Sequence, residues 1–158
     1  MGTRSRIGVM HGDVVKSVYC HWDGYLEHNG QILNKHYDSA KANQLVALGD
    51  LSSLGTVIGE KRPFSPHGSE EDRVAYEAAN EAGWCTFYGR DRGETGTEWQ
   101  VAHTFEQFYD QCEGCGAEYY YIMKDGVWYV GTTYSSGALA RDLVPLDEAL
   151  NVEALVQD

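Results

Sequence analysis

The stretch 119-YYYIMKDGVWYVGTT-133 decides the fold. Residues 119–124 and 127–133 are rich in aromatic and β-branched side chains, and they flank Asp125-Gly126, a dipeptide typical of a two-residue type I′ turn. The turn predicts four opposed pairs: Met123 with Trp128, Ile122 with Tyr129, Tyr121 with Val130, and Tyr120 with Gly131. Opposed residues share a face, so both faces of this hairpin are apolar, with a notch at Gly131. We therefore expect helices on one face and another layer, a second subunit or a ligand on the other.

The rest of the chain predicts a second hairpin and several helices. Residues 4–10 and 14–22 are predicted strands joined by the turn signal His11-Gly12-Asp13. Helices are predicted at 25–34 (capped by Asp23), 40–48 (capped by Asp38), 70–82, after Thr104, and at 145–156, with short strands at 84–88 and 99–103. Residues 59–72, 89–97 and 135–137 are predicted loops or turns. Together these elements indicate a single α+β domain over residues 1–158, in which an antiparallel sheet built from N- and C-terminal β-hairpins carries helices packed on one face.

The charge of the chain argues against polyanionic partners. Its 158 residues include 12 basic and 24 acidic side chains, which give a net charge of −12. Each phosphate contact needs a cation, so we expect no DNA or RNA polymer and no membrane as partner, although a small anionic ligand can bind in a local basic pocket. No apolar run approaches the roughly 20 residues of a membrane span, and no signal-peptide core follows the N-terminus. We therefore expect a cytoplasmic protein.

The cysteines raise the question of a metal site. The four are Cys20, Cys85, Cys112 and Cys115, and the last two form a CxxC pair, which occurs in zinc sites and in redox pairs. A structural zinc site usually needs a second close pair, and the other two cysteines stand alone. We therefore expect reduced thiols, no metal and no cofactor. The sequence also lacks the motifs of serine nucleophiles, phosphate loops, dinucleotide sites and zinc proteases, so no catalytic residue is predicted.

The densest group of reactive side chains is Tyr19-Cys20-His21-Trp22-Asp23-Gly24-Tyr25. It places an imidazole, a carboxylate and three aromatic rings at the end of a predicted strand. His21 is a candidate general base, oriented by Asp23, if the two side chains lie within hydrogen-bond reach. The alternative interpretation is a core tryptophan with a hydrogen-bonded histidine beside it.

Two further segments supply cations. The segment Tyr88-Gly89-Arg90-Asp91-Arg92-Gly93-Glu94 places two arginines in a glycine-rich stretch, which suits bidentate capture of phosphate or carboxylate. The alternative is a solvated loop with Arg–Asp pairs. At the N-terminus, Thr3-Arg4-Ser5-Arg6 alternates hydroxyls with guanidiniums, so a strand would place the hydroxyls on one face and the guanidiniums on the other. Arg4 is a candidate phosphate ligand, and a disordered basic terminus is the alternative.

Several blocks of the sequence belong together as a pattern. They are Met1-Gly2-Thr3-Arg4-Ser5, Cys20-His21-Trp22-Asp23-Gly24-Tyr25, His28-Asn29-Gly30, residues 48–54, Phe87-Tyr88, Arg90-Asp91-Arg92-Gly93-Glu94 and residues 125–129. With these blocks, nearly the whole chain resembles a family of small proteins of tailed bacteriophages. The chain also resembles phage sponge proteins of the anti-CBASS type, which are homo-oligomers that sequester the cyclic nucleotides of bacterial defence without cleaving them. The resemblance implies a homo-oligomer in the host cytosol during infection.

Three function hypotheses follow. The first is a phage anti-defence protein that binds and sequesters a small anionic nucleotide second messenger without cleaving it. Its predicted ligand-binding residues are Thr3, Arg4, Ser5, His21, Trp22, Asp23, Tyr25, Tyr88, Arg90 and Arg92, with rings stacking on bases and guanidiniums holding phosphate. The second is a hydrolase or nucleotide-cleaving enzyme that uses His21 and Asp23. The third is an acidic inhibitor that binds a host protein.

Overall fold

The computed structural model describes residues 2–133 and 142–157. The strands in these residues are β1 (Ser5–His11), β2 (Val14–Cys20), β3 (Leu51–Ser53), β4 (Thr86–Phe87), β5 (Gln100–Ala102), β6 (Tyr119–Lys124), β7 (Val127–Thr132) and β8 (Val144–Pro145). The helices are α1 (Gln31–His36), α2 (Ser39–Ala47), α3 (Glu70–Glu81), α4 (Tyr88–Arg92), α5 (Phe105–Gly114) and α6 (Leu146–Gln157), and a π-helical turn (Leu26–Gly30) leads into α1. The predicted turn at 135–137 lies outside the described residues. None of these helices has the length and apolar composition needed to cross a bilayer.

The strands form one mixed sheet. Its order is β4-β3-β2-β1-β6-β7-β8, and β5 pairs with β2 beside β3. Strand β1 runs parallel to β6, and β2 runs parallel to β3, whereas the other pairs are antiparallel. The α+β class is as predicted, but the prediction of an antiparallel sheet is wrong. The reason is that β6 enters the sheet at the same end as β1, with Tyr119 opposite Ser5.

The β6–β7 turn has the backbone that its sequence requires. Asp125 and Gly126 both have positive φ, 51° and 79°, as a type I′ turn demands. Met123 lies opposite Trp128, and Tyr120 lies opposite Gly131, which is the register that the turn predicts. A Cβ atom on Gly131 would lie 2.4 Å from Cε1 of Tyr120, so the Tyr120 ring fills the notch at this glycine.

Apolar clusters lie on both faces of the sheet. One contains Tyr121 with residues of α1, α2 and α6, such as Leu33, Leu45 and Leu146. The other contains Tyr120 with Phe108 and Cys112 of α5. Because adjacent residues of a strand point to opposite faces, α5 covers the face opposite the other three helices. The prediction that helices pack on one face is therefore wrong, and the apolar character of both hairpin faces explains why.

Local signals at helix ends have mixed outcomes. The Asp38 side chain accepts a hydrogen bond from the Lys41 N–H, as the predicted cap of α2 should. The predicted cap at Asp23 is wrong, because Asp23 has φ 58° and the following turn is π-helical. The predicted loop over 89–97 is wrong in its first part, where the chain forms α4 up to Gly93, whose φ of 74° ends that helix.

Candidate ligand-binding site

A depression of about 440 Å³ lies where β1 and β6 begin and β2 ends. It is lined by Gly2, Arg4, His21, Trp22, Gly116 and Glu118. Three predicted site residues, Arg4, His21 and Trp22, therefore meet here. They meet because Ser5 pairs with both Cys20 and Tyr119, which brings the residues just beyond these strand ends together. We call this depression the N-terminal site.

Two guanidiniums lie beside the chain at Gly116. Arg6 is only 3% exposed; its Nε donates to Ser17 Oγ at 3.0 Å, and its Nη1 lies 3.7 Å from Cys115 Sγ. Arg4 is exposed, and its Nη1 would lie 2.9 Å from a Cβ atom on Gly116. Neither arginine forms an ion pair with a carboxylate in the residues that the structure describes. Arg4 therefore brings an accessible positive charge to the depression, which the Glu118 side chain also lines.

Trp22 supplies an accessible aromatic surface. Its side chain is 43% exposed, and the His21 ring meets it edge-on with centroids 4.6 Å apart. A Cβ atom on Gly2 would lie 2.6 Å from Trp22 Cε3, so the N-terminal backbone lies against the indole ring. The Trp22 carbonyl accepts a hydrogen bond from Asn29, which is buried. The tryptophan is thus held in place with part of its ring open for stacking.

His21 is held by Tyr19. The Tyr19 hydroxyl lies 2.6 Å from Nδ1 of His21. Burial raises the pKa of Tyr19 to about 12, so its phenol stays protonated at neutral pH and shares a hydrogen bond with Nδ1. Burial, with a smaller contribution from the Arg4 charge, lowers the pKa of His21 below 6.5, so the imidazole is neutral. The Nε2 atom forms no hydrogen bond with the described residues, so a ligand can reach it.

Asp23 does not orient His21. Its Oδ2 lies 4.0 Å from Nε2 of His28, and its carbonyl accepts a hydrogen bond from the Asn29 N–H. No hydrogen bond or ion pair joins Asp23 to His21 in the described part of the chain. The predicted general base pair is therefore wrong, because the left-handed backbone at Asp23 directs the chain away from the strand.

The other N-terminal candidates differ in their access to solvent. Ser5 is fully buried, and its Oγ accepts a hydrogen bond from Asn29, so the prediction that Ser5 binds a ligand is wrong. Thr3 is half-buried, and its carbonyl accepts a 2.8 Å hydrogen bond from the Gly24 N–H. Tyr25 is 36% exposed, with its ring centroid 6.1 Å from that of His28.

The arginines of α4 do not join the N-terminal site. Arg90 donates to the Asp91 carboxylate and to the carbonyls of Ile58 and Cys85, so its guanidinium is part of the interior and its predicted ligand role is wrong. Arg92 lines a different depression, and its guanidinium lies 5.1 Å from the Tyr88 ring centroid. The predicted set thus divides into two groups.

Sequence reasoning missed several residues of the N-terminal site. Arg6 and Tyr19 could have been predicted, because each lies two residues from a predicted site residue in the predicted strands 4–10 and 14–22, and therefore on the same face. Gly116 and Glu118 follow α5 in the chain and reach the depression only through the parallel β1–β6 pairing. Local sequence patterns carry no signal for a contact of that kind.

Comparison of the chain with protein-family models, with curated proteins and with solved structures finds no match. Within the described residues, no group of three or more His, Cys, Asp and Glu side chains is placed to hold a metal ion. The function therefore has to be argued from the chemistry of the site.

Proposed function

We propose that the protein binds a small anionic nucleotide at the N-terminal site and sequesters it without cleaving it. The observation that carries the proposal is Arg4, an exposed guanidinium without an ion pair in the described residues, in the same depression as an accessible Trp22. An anionic ligand would supply the counter-charge that this guanidinium lacks.

The groups at the site match the parts of a nucleotide. The Arg4 guanidinium offers several N–H donors in a plane, the geometry that suits phosphate oxygens. The open side of the Trp22 indole offers a surface on which a base can stack, a contact worth roughly 1–3 kcal/mol. The neutral His21 ring adds a polar atom, Nε2, without adding charge. The volume of about 440 Å³ lies within the usual range of small-molecule sites, roughly 300–1,000 Å³.

Binding without cleavage is favoured over catalysis. A nucleotide-cleaving enzyme would need an activated base, and in the described residues the His21 Nδ1 is hydrogen-bonded to the Tyr19 hydroxyl and not to a carboxylate. Asp23 pairs with His28 instead. The enzyme hypothesis therefore loses the residue pair on which it was built.

The biological setting is part of the proposal. The sequence blocks that resemble proteins of tailed bacteriophages favour an anti-defence role, in which the protein acts as a homo-oligomeric sponge in the cytosol of the infected host. The ligand would then be a cyclic nucleotide of the bacterial immune response.

The test is a panel of cyclic dinucleotides, cyclic trinucleotides and ADP-ribose derivatives, followed by thermal unfolding and by chromatography of the ligand released on denaturation. A ligand at 100 times its dissociation constant should add about 2.7 kcal/mol to the free energy of unfolding, and it should be recovered unchanged. No stabilisation by any nucleotide would refute the proposal, and a degraded ligand would establish the enzyme instead.

Two variants localise the effect. Arg4→Ala should remove a charge-assisted hydrogen bond of roughly 1.5–3 kcal/mol, which weakens binding by about tenfold to a hundredfold. Arg73→Ala is the matched control, because Arg73 is an exposed arginine of α3 that pairs with Glu70. Equal losses in the two variants would mean that only the overall charge matters.

A further inference from the structure

A second depression of about 620 Å³ lies between residues 61–67 and α4. It is lined by Lys61, Arg62, Pro63, Phe64, Ser65, His67, Asp72, Asp91 and Arg92. We call it the α4 site. It shares no lining residue with the N-terminal site.

One wall of the α4 site is formed by residues 61–67 and is held in place by the buried carboxylate of Asp91. The Asp91 side chain is 0% exposed; Oδ1 accepts from the Arg62 N–H, and Oδ2 accepts from the Phe87 N–H. Both oxygens also accept from the Arg90 guanidinium, so the Asp91 charge is neutralised in place. Residues 61–67 are therefore tied to α4 and β4 although they contain no regular structure.

A buried guanidinium lies behind this wall. Arg62 is 4% exposed and donates to the carbonyls of Pro63, Trp84 and Tyr76 and to the Asn80 side chain. These acceptors are all neutral, so the positive charge of Arg62 is solvated but not cancelled by them.

The accessible basic side chains of the site are of two kinds: Arg92 is held in position by its neighbours, and Lys61 and His67 are unpaired in the described residues. The Arg92 guanidinium lies 4.3 Å from the Phe64 ring centroid and 5.1 Å from that of Tyr88, and Glu94 accepts from its Nε at 2.9 Å. Glu94 engages Nε and Nη2 and leaves Nη1 unbonded in the described residues. Lys61 and His67 have no hydrogen bond or ion pair with any described residue. Asp72 is the exposed carboxylate that opposes them.

We propose that the α4 site is a second binding site, for a small ligand that carries a phosphate group. Arg92 and Lys61 would hold the phosphate, with Arg92 kept in orientation by Phe64, Tyr88 and Glu94, so that little side-chain entropy is lost on binding. The buried Arg62 adds positive potential from behind the wall. This site is independent of the N-terminal site, and each can fail without the other.

The test uses sodium pyrophosphate as the probe and follows the Arg92 Nε–H and His67 ring signals by NMR. Both signals should shift along a saturating curve, and Arg92→Ala or Lys61→Ala should weaken binding by about tenfold each. Asp72→Asn should strengthen binding, because it removes the opposing charge. Arg73→Ala should leave the curve unchanged, and Arg4→Ala should too.

Shifts that rise linearly without saturating, or that survive unchanged in Lys61→Ala, would overturn the proposal. Lys61 is exposed and unpaired in the described residues, so its loss should leave the fold intact and this variant gives a clear answer even if Arg92→Ala unfolds. Loss of binding in Arg4→Ala together with no local shift at Arg92 would assign the anion to the N-terminal site alone.

Discussion

Arg4 and His21 influence each other at the N-terminal site. The positive charge of Arg4 adds to the effect of burial in lowering the pKa of His21, and the Tyr19 hydroxyl occupies its Nδ1. The lowered pKa of His21 makes the free energy of unfolding depend on pH. The unfolded chain takes up a proton on this histidine near pH 6.5 and the folded chain does so only at lower pH, so the folded state loses stability as the pH falls below 6.5.

The first prediction concerns this coupling. Arg4→Ala should raise the pKa of His21 toward 6.5, because one of the two causes of the shift is removed while the other, burial, remains. A titration of the His21 ring signals by NMR measures the change directly. Arg73→Ala removes an exposed arginine of α3 that pairs with Glu70; it is the control and should leave the His21 curve unchanged. An identical His21 curve in the variant would mean that the two side chains do not interact.

Individual residues of the site were predictable to different degrees. Arg4, His21 and Trp22 carry their chemistry in their side chains, and their place at strand ends follows from local pattern. Arg90 looks the same as Arg92 in the sequence, and only the folded chain distinguishes the guanidinium that Asp91 binds from the one that lines a depression. Ser5 was misassigned because it lies between β2 and β6 in the sheet, where Asn29, 24 residues away, donates to its hydroxyl.

At the scale of elements, the β6–β7 hairpin joins the two apolar faces of the sheet. Tyr120 packs against α5 on one face, and Tyr121 donates from its hydroxyl to the Gly24 carbonyl on the other. The hairpin thereby connects the second core to the loop that carries the N-terminal site.

Gly131→Ala is the second prediction. Its Cβ atom would lie 2.4 Å from Cε1 of Tyr120, so the ring must move within a packed core, at a cost of about 1–3 kcal/mol in the free energy of unfolding. Urea denaturation should show a lower midpoint with an unchanged slope. Gly114→Ala is the control, because a Cβ atom there meets nothing within 4 Å. Equal stability of the two variants would show that the notch is not filled.

The third prediction concerns the attachment of residues 61–67 to α4. Asp91→Ala leaves the Arg90 guanidinium, which is 13% exposed, without its carboxylate and should cost about 3–5 kcal/mol, the usual result of breaking a buried pair. Proteolysis should then cut within residues 61–67. Glu70→Ala, which breaks the exposed pair with Arg73, should change stability by less than about 1 kcal/mol. A cost below about 1 kcal/mol for Asp91→Ala would contradict the role of this carboxylate in holding residues 61–67.

Sequence patterns predicted the individual strands, helices and turns better than the way in which these elements are arranged in the sheet. The Asp125-Gly126 turn sets its own register because the interaction is local. Helix α4 was predicted as loop because Gly89 and Gly93 are typical of turns, whereas contacts between Asp91 and distant residues stabilise its single turn. The parallel β1–β6 pair joins strands that are more than 100 residues apart, and no local pattern encodes it.

At the scale of the whole molecule, acidity and anion binding are compatible. At a net charge of −12, each phosphate of a long polyanion that lies beyond the basic spots meets repulsion. A small ligand needs only the few cations around the N-terminal site. We therefore expect the local charge at the site, rather than the net charge of the chain, to decide which anions bind.

The fourth prediction is that the protein is a homo-oligomer, as the resemblance to sponge proteins implies. Light scattering on the eluting peak should give a multiple of 17.6 kDa. The mass should be measured at about 0.15 M and about 0.5 M salt, since screening reduces repulsion between acidic subunits. A mass of 17.6 kDa in both buffers would remove the oligomer from the proposal and leave the binding site as it is.

The central claim is that an intact nucleotide lies against Trp22 and Arg4, and NMR of the tryptophan indole N–H signals tests it most directly. With a stabilising cyclic nucleotide added, the Trp22 signal, assigned with Trp22→Phe, should shift and saturate, and this response should be lost in Arg4→Ala. The exposed Trp99 does not line the N-terminal site and should be unaffected. A nucleotide that binds while Trp22 stays unshifted, or that shifts Trp99 instead, would contradict the account.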